Sequence, residues 1–388
     1  MLKIYALGGS GESGRNCFAI ETADAAYLID CGVKRDVSQT SIGAYPLLTE
    51  GLVKKLRAVF LSQVHQDHSA ALPLLYHLGY TGNIYTSDES IHTVERFIKK
   101  WADYVQSRPG SLPYTGKDMT ALRLSPLHVG TNDVEGIRIT CGRSGYLLGS
   151  YWFSLEIGGK QIFYSSDMTW QPYILMRDTP QQADIALYSC TYAGRHIRND
   201  NELAAMKELI EETVDNNGKV LLPVPSKGRS SELYLYLTMH CADIPLYIHV
   251  IRSNAERNAV CASTIGSVIM TRDGMLTAPS GLYYFNQLKT DPSSLVILTG
   301  HAAKGTPAQL LFDEPWCQQN HVYLQKSRID YKIHLDYDDT LALNAQVKPK
   351  QAHLFHVEND QTTALAKELT RQGTQVITME TGDTWEIG

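Results

Sequence analysis

The chain has 388 residues, 43% hydrophobic and 20% charged, with a formal net charge of -6. That length supplies core for one large domain or two ordinary ones, and the acidic balance excludes a general polycationic grip on nucleic acid, leaving only a local basic groove for such contacts. Seven cysteines without a CxxC pair argue for reduced thiols and a cytoplasmic location, and MLKIYALGGSGESG at the start has no apolar run long enough for a leader or a membrane span.

In chain order, KIYALGG, CFAIET, AAYLIDCG and LRAVFLS are apolar or alternating runs that stop at Gly, Asp or Ser, which predicts short strands. Helices are expected at about 69–79 and 88–106. Within the second, Lys99, Lys100 and Trp101 read as a solvated face. YWFSLEIGGKQIFYSSD predicts a hairpin turning on Gly158 and Gly159. After residue 195 the texture changes. ELAAMKELIEETVDN, SSELYLYLTMHCA and NAERNAVCASTIGSV have helical periodicity, and KVLLPV, PLYIHV and SLVILTG between them read as buried strands. Such alternation predicts a parallel sheet. The end of the chain reads strand, helix, strand, strand. Texture therefore divides the chain into 1–195, 196–319 and 320–388.

Gly9, Gly11 and Gly14 satisfy GxGxxG, and Asp30 follows at a suggestive distance. Strands rather than a helix come next, so no helix N-terminus is there to hold a pyrophosphate. The loop is expected to line the mouth of another site.

The chemistry is concentrated in HQDH, which places His65, Asp67 and His68 between a strand and a helix. Side chains of such a tight loop can converge on an ion. Two imidazoles and a carboxylate suit zinc, with manganese or iron as alternatives. The competing reading is a helix N-terminus capped by Asp67 with its histidines in solvent. Asp167 after QIFYSS, His334 in YKIHLDYDD and His356 at the end of QAHLFHV add candidates at strand ends. Several such residues in one α/β chain point to a common catalytic edge.

The series of motifs resembles a metallo-β-lactamase-fold hydrolase of the β-CASP branch, the group that includes ribonuclease J and the cleavage-factor nucleases of RNA 3′ processing. MLKIYALGGSGESGRNCFAIETADAAYLIDCG resembles the branch's first strands, with Asp30 as the buried aspartate. LSQVHQDHSAAL resembles its HxHxDH loop, and SGYLLGSYWFSLEIGGKQIFYSSDM the GHxxGS segment running to a bridging aspartate. LYSCTYAGR resembles an acidic-S-T-Y motif. GKVLLPVPSKGRSSELYLYL and VILTGHAAKGT resemble parts of the inserted cap, and IHLDYDDTLAL and LFHVEND the last two histidine motifs. The matches come in order along essentially the whole chain.

The resemblance implies a four-layer αβ/βα core with an inserted β-CASP-like α/β cap. It assigns His65 to a first ion, Asp67, His68 and His356 to a second, and Asp167 to both. It makes a metal-held hydroxide the nucleophile, with Asp67, Asp167 and His334 as the catalytic side chains, His334 as proton donor or charge clamp. It also implies an RNA or other phosphate-ester substrate and a homodimer. His301, Lys227, Arg229, Ser189 and Tyr146 are the expected substrate contacts.

Three positions depart from the pattern. Gln63 replaces the first histidine of HxHxDH, Tyr146 the histidine of GHxxGS, and Ser189 the acidic residue of the acidic-S-T-Y motif. The first two losses fall on one ion, so a single zinc held by Asp67, His68, Asp167 and His356 is expected. Two other readings stay open: a catalytically impaired relative that binds RNA or a protein partner, and a hydrolase or tailoring enzyme for a small molecule.

Overall fold

Leu2, Ile4 and Ala6 alternate inward along the first strand, as a half-buried pleat requires. In the computed structural model, which describes residues 2–35, 42–225, 228–248, 253–300 and 302–388, Leu2–Gly8, Cys17–Glu21 and Ala26–Ile29 lie side by side and antiparallel. Thr384–Ile387 adds antiparallel to Leu2–Gly8. Leu56–Phe60, Ile84–Thr86 and Leu124–Pro126 continue from Ala26–Ile29 in parallel, completing a seven-stranded sheet. A second seven-stranded sheet has the spatial order Gln375–Val376, Gln351–Phe355, Ile185–Ser189, Lys160–Tyr164, Tyr151–Ile157, Ile137–Arg143, Gly130–Val134. Its first four strands are parallel and the remainder are antiparallel. The expected hairpin turns on Gly158 and Gly159, at φ +60° and +73°.

The sheets face each other. Ile4, Phe18, Ile29 and Phe60 of the first pack with Phe153, Ile162, Leu187 and Phe355 of the second, and the rings of Phe18 and Phe355 meet edge to face at 5.0 Å. Each such side chain contributes about 1.5–3 kcal/mol on burial. The far side of the second sheet is covered by Tyr337–Val347 and Asn359–Arg371 through Leu343, Leu365 and Leu369. On the far side of the first, Leu28 and Val59 are also fully buried, and helices Leu72–His77 and Val94–Gln106 bury Leu75, Ile98 and Trp101. The layering is the expected αβ/βα arrangement. Trp101 corrects the reading of its helix face as solvated: Lys99 and Lys100 are exposed, but the indole is 1% exposed and donates to the Tyr45 hydroxyl at 2.9 Å.

The chain divides into two units, Met1–His196 with His334–Gly388, and Ile197–Ile333. The second is built on a five-stranded, wholly parallel sheet ordered Leu246–Ile248, Ser267–Arg272, Lys219–Val224, Leu295–Leu298, Gln325–Arg328. Leu203, Met206 and Leu233 cover one face, and Tyr284, Phe285 and Leu288 the other. The insertion therefore ends at Ile333, not at 319. Gln325–Arg328 continues its sheet, and QKSR is too polar to announce itself as a strand. Both expected early helices are split, into Gln66–Ser69 with Leu72–His77 and Asp88–Ile91 with Val94–Gln106; Pro73 opens the second piece of the first pair. Among the described residues no helix is long and apolar enough to cross a membrane.

The segment Cys31–Val33 receives the Gln66–Ser69 turn by backbone bonds. Cys31 N donates to His68 O at 2.7 Å, Val33 N to Gln66 O at 3.0 Å, and Asn16 N to Asp67 O at 2.8 Å. A Cβ at Gly32 would lie 1.7 Å from the Asp67 carbonyl oxygen. Gly32→Ala is expected to lower the urea-unfolding free energy by about 1–3 kcal/mol. Gly51→Ala, where a Cβ would meet nothing within 4 Å, should leave it unchanged or slightly raised.

Candidate metal centre

Asp30 stands just past Ala26–Ile29 at φ +58° and is fully buried. Its Oδ1 accepts from Ser62 N at 2.8 Å. Its Oδ2 accepts from the hydroxyls of Ser62 and Tyr164, each at 2.7 Å, and faces His68 Nδ1 at 2.7 Å. The carboxylate thus accepts the hydrogen bond from Nδ1–H, which turns Nε2 toward Asp67 and Asp167. His68 is itself 0% exposed. The helix-cap reading of HQDH fails on both counts. The cap position belongs to His65, and Asp67 lies within the first turn.

His356 follows Gln351–Phe355 at φ +66°, held there by its N–H to the Gly9 carbonyl at 2.7 Å. Its Nε2 is 3.3 Å from Asp67 Oδ2, and its Nδ1 is 3.2 Å from Asp167 Oδ1. His68 Nε2 is 3.2 Å from Asp167 Oδ2 and 3.8 Å from Asp67 Oδ2. One ligand atom from each of Asp67, His68, Asp167 and His356 lies within 4.8 Å of all the others. A tetrahedral zinc with arms of ~2.0–2.2 Å has edges of roughly 3.3–3.6 Å. The contacts above use both nitrogens of His356 and both oxygens of Asp167; taken one atom per residue, the four donors lie within 4.8 Å of one another, so small side-chain rotations bring two nitrogens and two carboxylate oxygens onto one such ion.

The protonation pattern matches a site built for positive charge. Burial pushes His356 down, but Asp167 and Asp67 outweigh it and raise the imidazole to about 9. His68 is likewise raised against burial, by Asp167 first and then Asp30 and Asp67. Burial would raise both carboxylates, yet His68 above all holds Asp67 and Asp167 below their usual range.

Among the described residues no second such group stands where a first ion is expected. The Gln63 Oε1 accepts the His65 N–H at 2.9 Å, which fixes the amide orientation and turns Nε2 onto Asp167 Oδ2 at 2.8 Å. A donor stands where a ligand lone pair would be needed. The Tyr146 hydroxyl lies 3.2 Å from His65 Nδ1. Burial holds His65 down at about 4, so it is neutral around pH 7. Ser189, 2% exposed, spends its hydroxyl on Asp167 Oδ1 at 2.8 Å. A buried hydroxyl so engaged is a support for Asp167, which corrects its reading as a substrate contact.

His334 Nδ1 is 3.6 Å from Asp167 Oδ1, too long for a good hydrogen bond, and is buried without a partner among the described residues. Its ring lies 4.8 Å from Tyr146 and 5.6 Å from Tyr192. Arg229 belongs to the second unit, where it opens helix Arg229–His240 with its guanidinium across Gly300. Lys227 and His301 lie outside the described residues. Sequence reasoning missed Asn16, whose Nδ2 is 3.0 Å from His68 Nε2, along with Ser62 and Tyr164. Tyr164 is one inward residue of an apolar strand, and nothing in its period signals the target of its hydroxyl.

A model of the metallo-beta-lactamase superfamily matches residues 10–180, and one of the Beta-Casp domain matches residues 145–311. Among curated proteins, the chain is 26% identical to transcription termination factor FttA of Methanothermobacter thermautotrophicus, over 78% of this chain and 57% of that one. It is 26% identical to cleavage and polyadenylation specificity factor 73 of Drosophila melanogaster, over 96% and 62%. It is 22% identical to the probable RNase MJ4 of Methanocaldococcus jannaschii, over 98% and 99%. The chain thus spans about 57–62% of the first two relatives and nearly all of the third. A crystal structure of a protein of unknown function from Enterococcus faecalis V583 shares the fold at a TM-score of 0.63 and 13% identity, over 99% of each chain.

Ion binding must displace the protons on His68 and His356. Apparent affinity for Zn²⁺ is therefore expected to rise from pH 6 to about 9, by up to ~10-fold per pH unit for each proton released. The metal-free protein should move the other way. A raised imidazole stabilises the fold fully below about 6.5, its unfolded value, and that contribution is lost as pH passes about 9. Competition titrations with a chromogenic chelator and melting curves across this range check both slopes.

Proposed function

Because the chain belongs to the β-CASP branch of the metallo-β-lactamase superfamily, we propose that it is a metal-dependent hydrolase of phosphodiesters, with RNA as the substrate class. The observation that carries this reading is the convergence of Asp67, His68, Asp167 and His356 on one point, with His334 Nδ1 beside it lacking a hydrogen-bond partner among the described residues. The donor set favours zinc, with manganese as the alternative.

When bound, such an ion supplies Lewis acidity and acidifies water. The rest of the work falls to the chain. Asp30 holds His68 in the tautomer that offers Nε2. Gln63 and Ser189 pin the two oxygens of Asp167. His334, packed beside Tyr146 and Tyr192, has a ring nitrogen available to give a proton to a leaving oxygen or to oppose charge developing on phosphorus. Relatives bearing the names FttA and cleavage and polyadenylation specificity factor 73 support RNA as the substrate class.

Elemental analysis of protein purified without chelator is expected to find one zinc or manganese per chain. Cleavage of a labelled RNA oligonucleotide should be lost on chelation and fall at least ~10²-fold in Asp67→Ala, His356→Ala and His334→Ala. His334→Ala should keep its metal, whereas the other two should lose it. Undiminished cleavage by the metal-free protein would overturn the reading. The double variant Gln63→His with Tyr146→His removes the donor from Asp167 and supplies two imidazoles. Its metal content should rise from one ion per chain to two.

A further inference from the structure

Beside the centre, within the first unit, is a cavity of about 460 Å³. Its lining includes His65, Asp67 and His356 of the centre together with Phe97, Lys34 and Arg35. The volume falls in the ~300–1,000 Å³ range of pockets that enclose a small ligand. Charge is what sets it apart. Although the chain carries a net charge of -6, the cations around this cavity outnumber their carboxylate partners. Glu12 pairs with both Arg15, at 2.8 Å, and Lys34, at 3.0 Å. Arg35 donates to the neutral Gln66 Oε1 at 2.8 Å, and among the described residues no carboxylate forms an ion pair with it.

Arg35 is exposed but has a second contact. Its guanidinium lies 5.0 Å from the centroid of the Tyr104 ring, which also carries Arg108 at 3.8 Å and stacks at 5.4 Å on the buried Trp101. A guanidinium in contact with an aromatic ring and a neutral amide keeps its charge for an anion, and its fork matches phosphate oxygens. Phe97 adds an aromatic surface beside the ligand side chains, of the kind on which a base or sugar packs.

We propose that this cavity is the subsite for the nucleotide unit next to the scissile phosphodiester, with Arg35 and Lys34 holding its outer phosphate and Phe97 packing against its base or sugar. This rests on the phosphodiesterase reading above and assigns it a recognition element. Arg35 is the principal phosphate contact, because Glu12 shares the charge of Lys34.

The test is calorimetric titration of the zinc-loaded 388-residue chain with adenosine 3′,5′-bisphosphate and, separately, with adenosine. The bisphosphate should bind at least ~10-fold more tightly than adenosine, and Arg35→Gln should erase about 10-fold or more of that affinity. Lys34→Gln should cost less. Arg138→Gln removes an exposed cation paired with Asp133 and Glu156 and should change nothing. In RNA cleavage, Arg35→Gln should raise KM and leave kcat within about twofold. Equal binding of bisphosphate and adenosine overturns the subsite, as does equal weakening by Arg35→Gln and Arg138→Gln, which would mark a bulk charge effect. Arg35-dependent bisphosphate binding without any RNA cleavage would sink the hydrolase reading and leave the subsite standing. RNA cleavage whose KM ignores Arg35→Gln, with no Arg35-dependent binding, would do the reverse.

Discussion

Asp167 is a carboxylate 1% exposed to solvent, and a buried negative charge is untenable unless donors and cations surround it. Here they do. Gln63 and His68 meet one oxygen, Ser189 and His356 meet the other, and His334 stands just beyond hydrogen-bond reach. The four groups in contact come from three separate stretches of chain. Satisfying this single charge therefore fixes the HQDH turn, the end of Ile185–Ser189 and the end of Gln351–Phe355 with respect to one another. The same groups that make the charge tolerable define the place where an ion fits.

The two sheets make that convergence possible. Asp167, Ser189 and His356 follow or end three adjacent parallel strands, Lys160–Tyr164, Ile185–Ser189 and Gln351–Phe355, so they leave the second sheet at one edge. The first sheet delivers the HQDH turn to the same edge from Leu56–Phe60. Asp30 and Tyr164, bonded across the sandwich at 2.7 Å, tie the two contributions together beneath the site. The glycine loop at Gly9 to Gly14 is followed by the strand Cys17–Glu21 rather than a helix, and its Ser13 and Gly14 line the cavity beside the centre. Gly9 accepts the backbone N–H of His356, and Glu12 fills the loop by accepting from Gly9 N, Arg15, Lys34 and Thr381.

The candidate ligands that the fold brings together were readable in the sequence because each is a polar residue that interrupts or ends an apolar run, where a strand must finish. Gln63 and Tyr146 were readable as departures from a pattern. Their replacement contacts were not, because the bonds from Gln63 to Asp167 and from Tyr146 to His65 span 104 and 81 residues. The polar strand Gln325–Arg328 escaped notice because it lies at the edge of its sheet with exposed or half-buried side chains, and only backbone pairing to Leu295–Leu298 makes it a strand. Trp101 was misjudged beside two lysines, since a helix can bury one residue while its neighbours in sequence stay in water. Arg35 and Phe97 had no motif at all, and only the folded chain brings them to one cavity.

The amide at position 63 and the phenol at position 146 have a genetic consequence. In the standard code, a glutamine codon becomes a histidine codon through one third-base change, and a tyrosine codon does so through one first-base change. The hydrogen-bonded arrangement around Asp167 and His65 thus lies two single-base steps from a complete pair of imidazoles. The two steps are not equivalent. Changing position 63 first strips Asp167 of its 2.8 Å donor while Tyr146 still engages His65; changing position 146 first leaves that donor in place. The second route keeps the buried carboxylate satisfied at its intermediate, so it is the smoother path by which descendants of this chain could gain both imidazoles.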